Sequence, residues 1–226
     1  MKYRIAIDGA CRRNGKPDCV SAGGLLLQRF SDEGVLESSF TIGVTEKKST
    51  NQRGEMLALI KALSILVDVC GLDDEATIVT DSEYLFNAMT KGWVSSWEAK
   101  GYKTAEGNDV KNQDLWRKIY ILSQEIVGPV QFYHIKGHLI PFGKVTGEKL
   151  LNYDPTAQVF CEAFGENYTA KLPTKADEFI KANELSTRNN GFPFDPETMK
   201  EFVTINAVAD FVAGIYVARA DRDAQS

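Results

Sequence analysis

The order in which the hydrophobic period changes along this chain constrains its fold most. Tyr3-Arg4-Ile5-Ala6-Ile7 alternates and meets a turn at Asp8-Gly9, Ala22 to Phe30 is β-rich after two glycines, and Leu36 to Val44 reads as a third strand. A turn at Asp32-Glu33-Gly34 makes these an antiparallel meander. The period then changes. Glu55 to Val69 puts Met56, Leu59, Ile60, Leu63, Leu66 and Val67 on one helical face, with Gly71 where a C-cap glycine would sit. Thr77-Ile78-Val79-Thr80 is a short buried strand ending at Asp81, Ser82-Glu83 opens a helix, another runs from Asn112 to Val127, and Val130 to Ile135 is a last strand. Strands first, then helices alternating with strands, predicts an α/β (mixed α+β) fold: a five-stranded mixed sheet flanked by helices.

The stretch from Leu139 to Thr204 differs in character, with Pro141, Pro155, Pro173, Pro193 and Pro196 spread through it. Thr174-Lys175-Ala176-Asp177 resembles a capping box before a short helix, and Asp195-Pro196 resembles an N-cap followed by proline at the first helical position. From Asn206 to Ala220 the pattern is helical and apolar on one side.

Bulk properties exclude several classes. A chain of 226 residues, 43% hydrophobic and 25% charged, reads as soluble and globular, either one domain with a large elaboration or one domain and a small second one. No uninterrupted apolar run reaches membrane-spanning length, and Met1-Lys2-Tyr3 leads directly into a strand without a signal-peptide core, so no membrane partner is expected. Cys11, Cys19, Cys70 and Cys161 show neither CxxC pairing nor zinc spacing and read as free thiols in a reducing cytoplasm. With only His134 and His138, a multi-histidine metal site is excluded. The net charge of −5 argues mildly against a nucleic-acid partner, although a local basic patch can bind while carboxylates elsewhere set the total.

Three carboxylates stand where a sheet protein places chemistry, and a fourth stands out in an apolar segment. Asp8 ends the first strand, Asp81 ends a buried strand, Glu55 lies at the start of an apolar helix, and Asp210 interrupts an apolar stretch. Each has an ordinary alternative: a turn, a helix cap, a first-turn charge and an exposed face, respectively. Gathered together, they would repel one another unless cations occupied the cluster, and hard divalent ions with oxygen ligands meet that need.

Asp8-Gly9-Ala10-Cys11 with Asn14-Gly15, Ser49-Thr50-Asn51-Gln52-Arg53-Gly54-Glu55 and Thr80-Asp81-Ser82-Glu83-Tyr84 resemble successive signatures of type 1 ribonuclease H. The likeness continues through Gly92-Trp93-Val94, Trp97 and Gly101-Tyr102-Lys103-Thr104 to Val110-Lys111-Asn112-Gln113-Asp114-Leu115-Trp116. It ends with Ile135-Lys136-Gly137-His138 and Asn206-Ala207-Val208-Ala209-Asp210, so it covers residues 1–140 and 205–220. The resemblance implies a ribonuclease H-like fold and hydrolysis of the RNA strand of RNA–DNA hybrids, leaving 5′-phosphate and 3′-hydroxyl ends. Asp8, Glu55, Asp81 and Asp210 would hold two Mg²⁺ ions about 3.5–4 Å apart, with Mn²⁺ as a substitute. His138 would shuttle protons and help release product, tasks that suit an imidazole. His134, which points the other way along its strand, reads as structural.

The same resemblance assigns the substrate contacts. Asn14, Asn51 and Gln52 would touch 2′-hydroxyls in the minor groove, since each amide can both donate and accept. Lys48, Thr50 and Asn112 would grip a phosphate of the DNA strand. Lys91 to Lys103 resembles a basic, aromatic protrusion in which Trp93, Trp97 and Tyr102 pack on sugars and Lys100 and Lys103 meet phosphates. The alternative is an amphipathic helix whose tryptophans are core. Glu98-Ala99-Lys100 makes this protrusion less basic than those of well-known bacterial members, which implies weaker binding and a shallower salt dependence.

Leu139 to Ala209 is 71 residues where the family has a short loop, so roughly 60 residues are inserted beside the site. The chain is therefore expected to be a single domain, 1–226, with residues 139–205 as an embedded subdomain. The aromatics Phe142, Tyr153, Phe160, Phe164, Tyr168, Phe179, Phe192 and Phe194 could bury a satellite core. The insertion could extend the substrate platform, lid the site or bind another protein. Two rival readings stand beside the hybrid nuclease, which is expected in the cytoplasm or near nucleoid or nuclear DNA. One is a related nuclease acting on DNA. The other is a non-catalytic nucleic-acid-binding or protein-interaction domain of the same fold.

Overall fold

The computed structural model describes residues 1–138 and 196–223. Strands β1 (Lys2–Arg12), β2 (Val20–Phe30) and β3 (Leu36–Lys47) form the expected antiparallel meander. β4 (Glu75–Thr80) then joins β1 in parallel, and β5 (Val130–His134) joins β4 in parallel. The result is a five-stranded mixed sheet in the order β3-β2-β1-β4-β5. The parallel step from the meander to β4 requires a crossover, and α1 (Asn51–Val69) supplies it. Helices α2 (Glu83–Thr90), α3 (Trp93–Ala99) and α4 (Gln113–Glu125) come between β4 and β5, and α5 (Pro196–Asp223) follows.

Alternation along the strands sorts the core into two layers. Tyr3, Ile5 and Ile7 of β1 and Leu25 and Leu27 of β2 pack with Met56, Leu59, Leu63 and Leu66 of α1 and with Trp116 and Ile119 of α4. The intervening residues Ala6 and Leu26, together with Val79 and Ile135, pack on the other face with Phe202, Val208, Val212 and Ile215 of α5. Burying a large aliphatic side chain contributes about 1.5–3 kcal/mol, so α5 is a structural wall of the sheet and not an appendage.

Several local readings change. α1 begins before Glu55, because Thr50 caps it and accepts from the Arg53 amide at 3.3 Å; Glu55 therefore lies in the second turn. Its C-cap is Cys70 in extended conformation, and Gly71 instead donates its amide to Asp74 at 2.9 Å. Residue 205, where the insertion was expected to end, lies inside α5, which runs unbroken from Pro196 among the described residues; the expected Asp195 N-cap lies outside them. The inserted core and the Thr174–Asp177 capping box lie outside the described residues. Cys11 and Cys19 are disulfide-bonded, contrary to the expectation of free thiols, because the β1–β2 hairpin folds back and brings their Cα atoms within 6.9 Å; Cys70 is free and buried. Glu201–Asp223 of α5 is long and apolar enough to cross a membrane, although charged residues interrupt its sequence, but 72% of its 18-residue apolar window is buried inside the protein.

Candidate active site

Asp8 is not the end of its strand. β1 pairs with β2 as far as Arg12↔Val20, which leaves Asp8 in mid-strand, on the α5 face, and only 4% exposed. Its register partner on β2 is Gly24. A side chain at Gly24 would collide with the Ala209 carbonyl and the Ala213 backbone, so this glycine lets α5 lie directly on the sheet. Asn206 anchors the same helix by donating to the Ile7 carbonyl at 3.4 Å, and Asp210 follows one turn later. On the other side β1 and β4 run in register, Ile7↔Thr80, so Asp81 comes off its strand end beside Asp8. Glu55 arrives from α1 across Gly9, where a Cβ would strike its side chain and backbone. Sheet, crossover helix and C-terminal helix thus bring all four acids to one edge.

Burial pushes the Asp8 carboxyl well above the ordinary range, and Asp81, Asp210 and Glu55 push it in the same direction against one hydrogen bond from the Gly9 amide. That bond, 2.6 Å long, engages Oδ1; Oδ2 is buried with no partner. Burial raises Glu55 to about 7, opposed by its bonds from Ser82 (2.5 Å) and Asn51 (3.1 Å). Burial likewise raises Asp81 and Asp210, with His138 opposing both.

Asp210 has a side-chain partner, and Asp81 is closely covered by backbone. His138, 77% exposed and in left-handed conformation, places Nδ1 at 3.2 Å from Asp210 Oδ2. Gly137 lies so close over Asp81 Oδ2 that a side chain there would overlap it. Among the described residues, no three His, Cys, Asp or Glu side chains already enclose a common point as metal ligands. The donor set nevertheless fits a hard divalent cation. It is all oxygen, its charges are mutually repelling and desolvated, and the orphaned Asp8 oxygen lacks the positive partner that burial of a carboxylate demands. His134 is structural in geometry, with Nε2 at 3.2 Å from the Asp81 carbonyl and its ring against Phe86.

The expected substrate residues fall into three groups. Thr50, Asn51, Gln52 and Asn112 come together where α1 and α4 begin: Thr50 and Asn112 are the two N-cap positions, and Asn112 donates to Gln52 at 3.1 Å. Lys48 is exposed two residues before that N-cap, so two helix N-termini and a lysine offer an anion positive charge. Asn14 is exposed in the turn between β1 and β2. Trp93 and Trp97 are half-buried in an aromatic cluster with Tyr84 and Trp116, with centroids 5.2–6.4 Å apart, so each combines packing with an exposed part.

Two members of the expected protrusion read differently. Tyr102 is 2% exposed with the Arg117 guanidinium 4.1 Å above its ring, so it is core and cannot pack on a sugar. Lys103 is paired with Asp109 at 2.5 Å, whereas Lys100 is exposed at the end of α3. The sequence reading also missed Ser82, which caps α2 and holds Glu55; its place between Asp81 and Glu83 at a helix start was the available signal. It missed Arg53 as well, which the structure ties to Glu46 and Asp114.

The ribonuclease H family model matches residues 2–145, more than half of the chain, and stops short of Asp210. Ribonuclease H of Clostridium botulinum is 32% identical over 137 residues, 61% of this chain and 84% of that protein. Ribonuclease H of Thermus thermophilus is 37% identical over 141 residues, 61% of this chain and 75% of that protein. Among solved structures, LC9-RNase H1, described as a type 1 RNase H with the type 2 active-site motif, shares the fold with a TM-score of 0.50, at 23% identity over 66% of each chain. The family model and these relatives show that the chain belongs to the ribonuclease H family.

Proposed function

We propose that this protein is an endoribonuclease that hydrolyses the RNA strand of RNA–DNA hybrids and leaves 5′-phosphate and 3′-hydroxyl ends. Asp8, Glu55, Asp81 and Asp210 would hold two divalent cations, Mg²⁺ with Mn²⁺ as a substitute. Once bound, such ions supply Lewis-acid stabilisation at the scissile phosphate. The observation that carries the reading is the buried, unpartnered Asp8 Oδ2 within electrostatic reach of three further carboxylates. Asp8 can take up a positive ion where it stands.

The protein's own groups do the rest. The bond between His138 Nδ1 and Asp210 orients the ring and leaves Nε2 as the atom that exchanges a proton with the groove. Asn14, Asn51 and Gln52 would read 2′-hydroxyls, and Lys48, Thr50 and Asn112 would grip a DNA-strand phosphate. Trp93, Trp97 and Lys100 would flank that strand, with Lys103 weakened by its bond to Asp109. Residues 139–195 are proposed to extend this platform or to meet a protein partner, and replacing 140–195 with a short linker tests which. The protein would act wherever hybrids form, in the cytoplasm or near nucleoid or nuclear DNA.

The experiment compares cleavage of a labelled hybrid, duplex DNA and duplex RNA in Mg²⁺. Cutting confined to the hybrid's RNA strand is expected. Equal cutting of duplex DNA would favour a DNA-directed nuclease, and hybrid binding without cutting in Mg²⁺ or Mn²⁺ would favour a non-catalytic domain.

A further inference from the structure

Arg53 is the most heavily engaged side chain near the substrate residues, yet it is unsuited to touching substrate. Its Nε and Nη2 donate to Glu46 at 2.6 and 2.8 Å, and its Nη1 and Nη2 donate to Asp114 at 2.9 and 2.8 Å. Both contacts are bidentate, the geometry in which a guanidinium is held hardest. Glu46 lies near the end of β3 and is further held by Ser49 at 2.5 Å, which in turn accepts from buried Ser21 at 2.7 Å. Asp114 lies in the first turn of α4. A single cation thus ties the strand, the start of α1 and the start of α4 together.

What this fixes is the polarity of two amides. Asn112 occupies the N-cap of α4 at φ 58°, but its side chain makes no capping bond to its own helix. Its Oδ1 faces Arg53 Nη1 at 3.5 Å and its Nδ2 donates to Gln52 Oε1 at 3.1 Å. With Oε1 engaged, Gln52 has its amide nitrogen left to offer. Asn51 is the reverse: its nitrogen donates to Glu55 at 3.1 Å, which leaves the oxygen. Neighbouring residues therefore present an acceptor and then a donor, a pair that a 2′-hydroxyl can satisfy and a deoxyribose cannot.

We infer that Arg53 is a positioning residue for strand recognition: clamped between Glu46 and Asp114, it holds Asn112 and through it keeps the Gln52 amide nitrogen facing the nucleic acid. The inference rests on the hybrid-nuclease reading for the identity of that nucleic acid.

A double-mutant cycle on the full chain tests it, with KM and kcat for a labelled hybrid and, in parallel, hybrid affinity by fluorescence anisotropy. Gln52→Glu removes the donor and keeps the acceptor. Arg53→Met releases the clamp. Each is expected to raise KM and Kd about tenfold, the loss of one charge-assisted or recognition bond, with kcat changing far less. The double variant should be no more than about twofold worse than either, because both act on one contact. Arg53→Lys should resemble Arg53→Met, since an ammonium cannot bridge two carboxylates bidentately. Should Arg53→Met fail to fold, Asp114→Asn opens the same clamp from the other side and the cycle is run with it. Additive effects, or full rescue by Arg53→Lys, would overturn the proposal while leaving the nuclease reading intact. A wild type that binds hybrids without cutting them overturns the catalytic reading alone, and the cycle is then read on Kd. A wild type that neither binds nor cuts hybrids overturns both.

Discussion

Replacing Asp8 with Asn should make the cation-free protein more stable while abolishing turnover. Asp8 is 4% exposed, its Oδ1 accepts one bond from the Gly9 amide, and its Oδ2 accepts none. Asparagine keeps the oxygen that Gly9 needs and removes the charge. An uncompensated buried polar group costs about 1–3 kcal/mol, and repulsion from Asp81, Asp210 and Glu55 acts in the same direction. For a protein of this size each kcal/mol moves Tm by about 2–4 °C, so Asp8→Asn should melt about 2–12 °C higher in EDTA at pH 8. The pH dependence follows from the direction of the shift. A carboxyl whose folded value is raised carries no penalty below its unfolded value, here 3.8, and destabilises increasingly as pH climbs through the folded value. The advantage of the variant should therefore be smaller at pH 5 than at pH 8. Added Mg²⁺ should stabilise the wild type more than the variant. Calorimetry in EDTA and in Mg²⁺ at both pH values reads all of this. An Asp8→Asn protein less stable than wild type at pH 8 in EDTA would refute the view that this pocket is a desolvated, cation-seeking one.

Three other outcomes are expected. Glu55, raised from 4.5 to about 7 by burial, should cost the cation-free wild type up to about 3 kcal/mol between pH 5 and 8, and an EDTA melting curve that is flat or rises over that window contradicts it. Gly24→Ala should lift α5 from the sheet, lower stability by about 1–3 kcal/mol in urea titrations and impair cleavage, since the added methyl collides with the Ala209 carbonyl; unchanged stability would show that α5 does not rest on that glycine. Lys100→Ala should reduce the slope of log affinity against log salt by about 0.9, and Lys103→Ala by less because Asp109 already engages it; equal changes would contradict that difference.

The sequence made the architecture legible because each face of the sheet imposes its own period. The alternation of Tyr3, Ile5 and Ile7 and the helical face of Met56 to Leu66 survive in the structure as one core layer. Asp-Gly was read as a turn at Asp8-Gly9 because it usually is one; the pairing with Val20–Gly24 across the hairpin carries the strand on instead. No local signal announces such long-range pairing. The same hairpin brings Cys11 to Cys19, a contact that spacing alone cannot reveal. Tyr102 looked like a substrate contact because its motif is aromatic and basic, but a left-handed backbone turns it under Arg117. Asp210 was visible as a charge in an apolar helix, while the reason it reaches Asp8 lies in Gly24, seated opposite Asp8 on the neighbouring strand.

The central claim, that carboxylates from β1, α1, the end of β4 and α5 jointly hold paired cations against an RNA phosphodiester, is tested most directly by counting ions. Mn²⁺ bound to the full chain can be followed by electron paramagnetic resonance of the free ion, with a hybrid whose RNA strand carries non-hydrolysable internucleotide linkages. Saturable binding of about two ions per chain, lost in Asp8→Asn and reduced in Asp210→Asn, is the result predicted. Mn²⁺ binding that is unsaturable, or indifferent to both substitutions, would contradict the account.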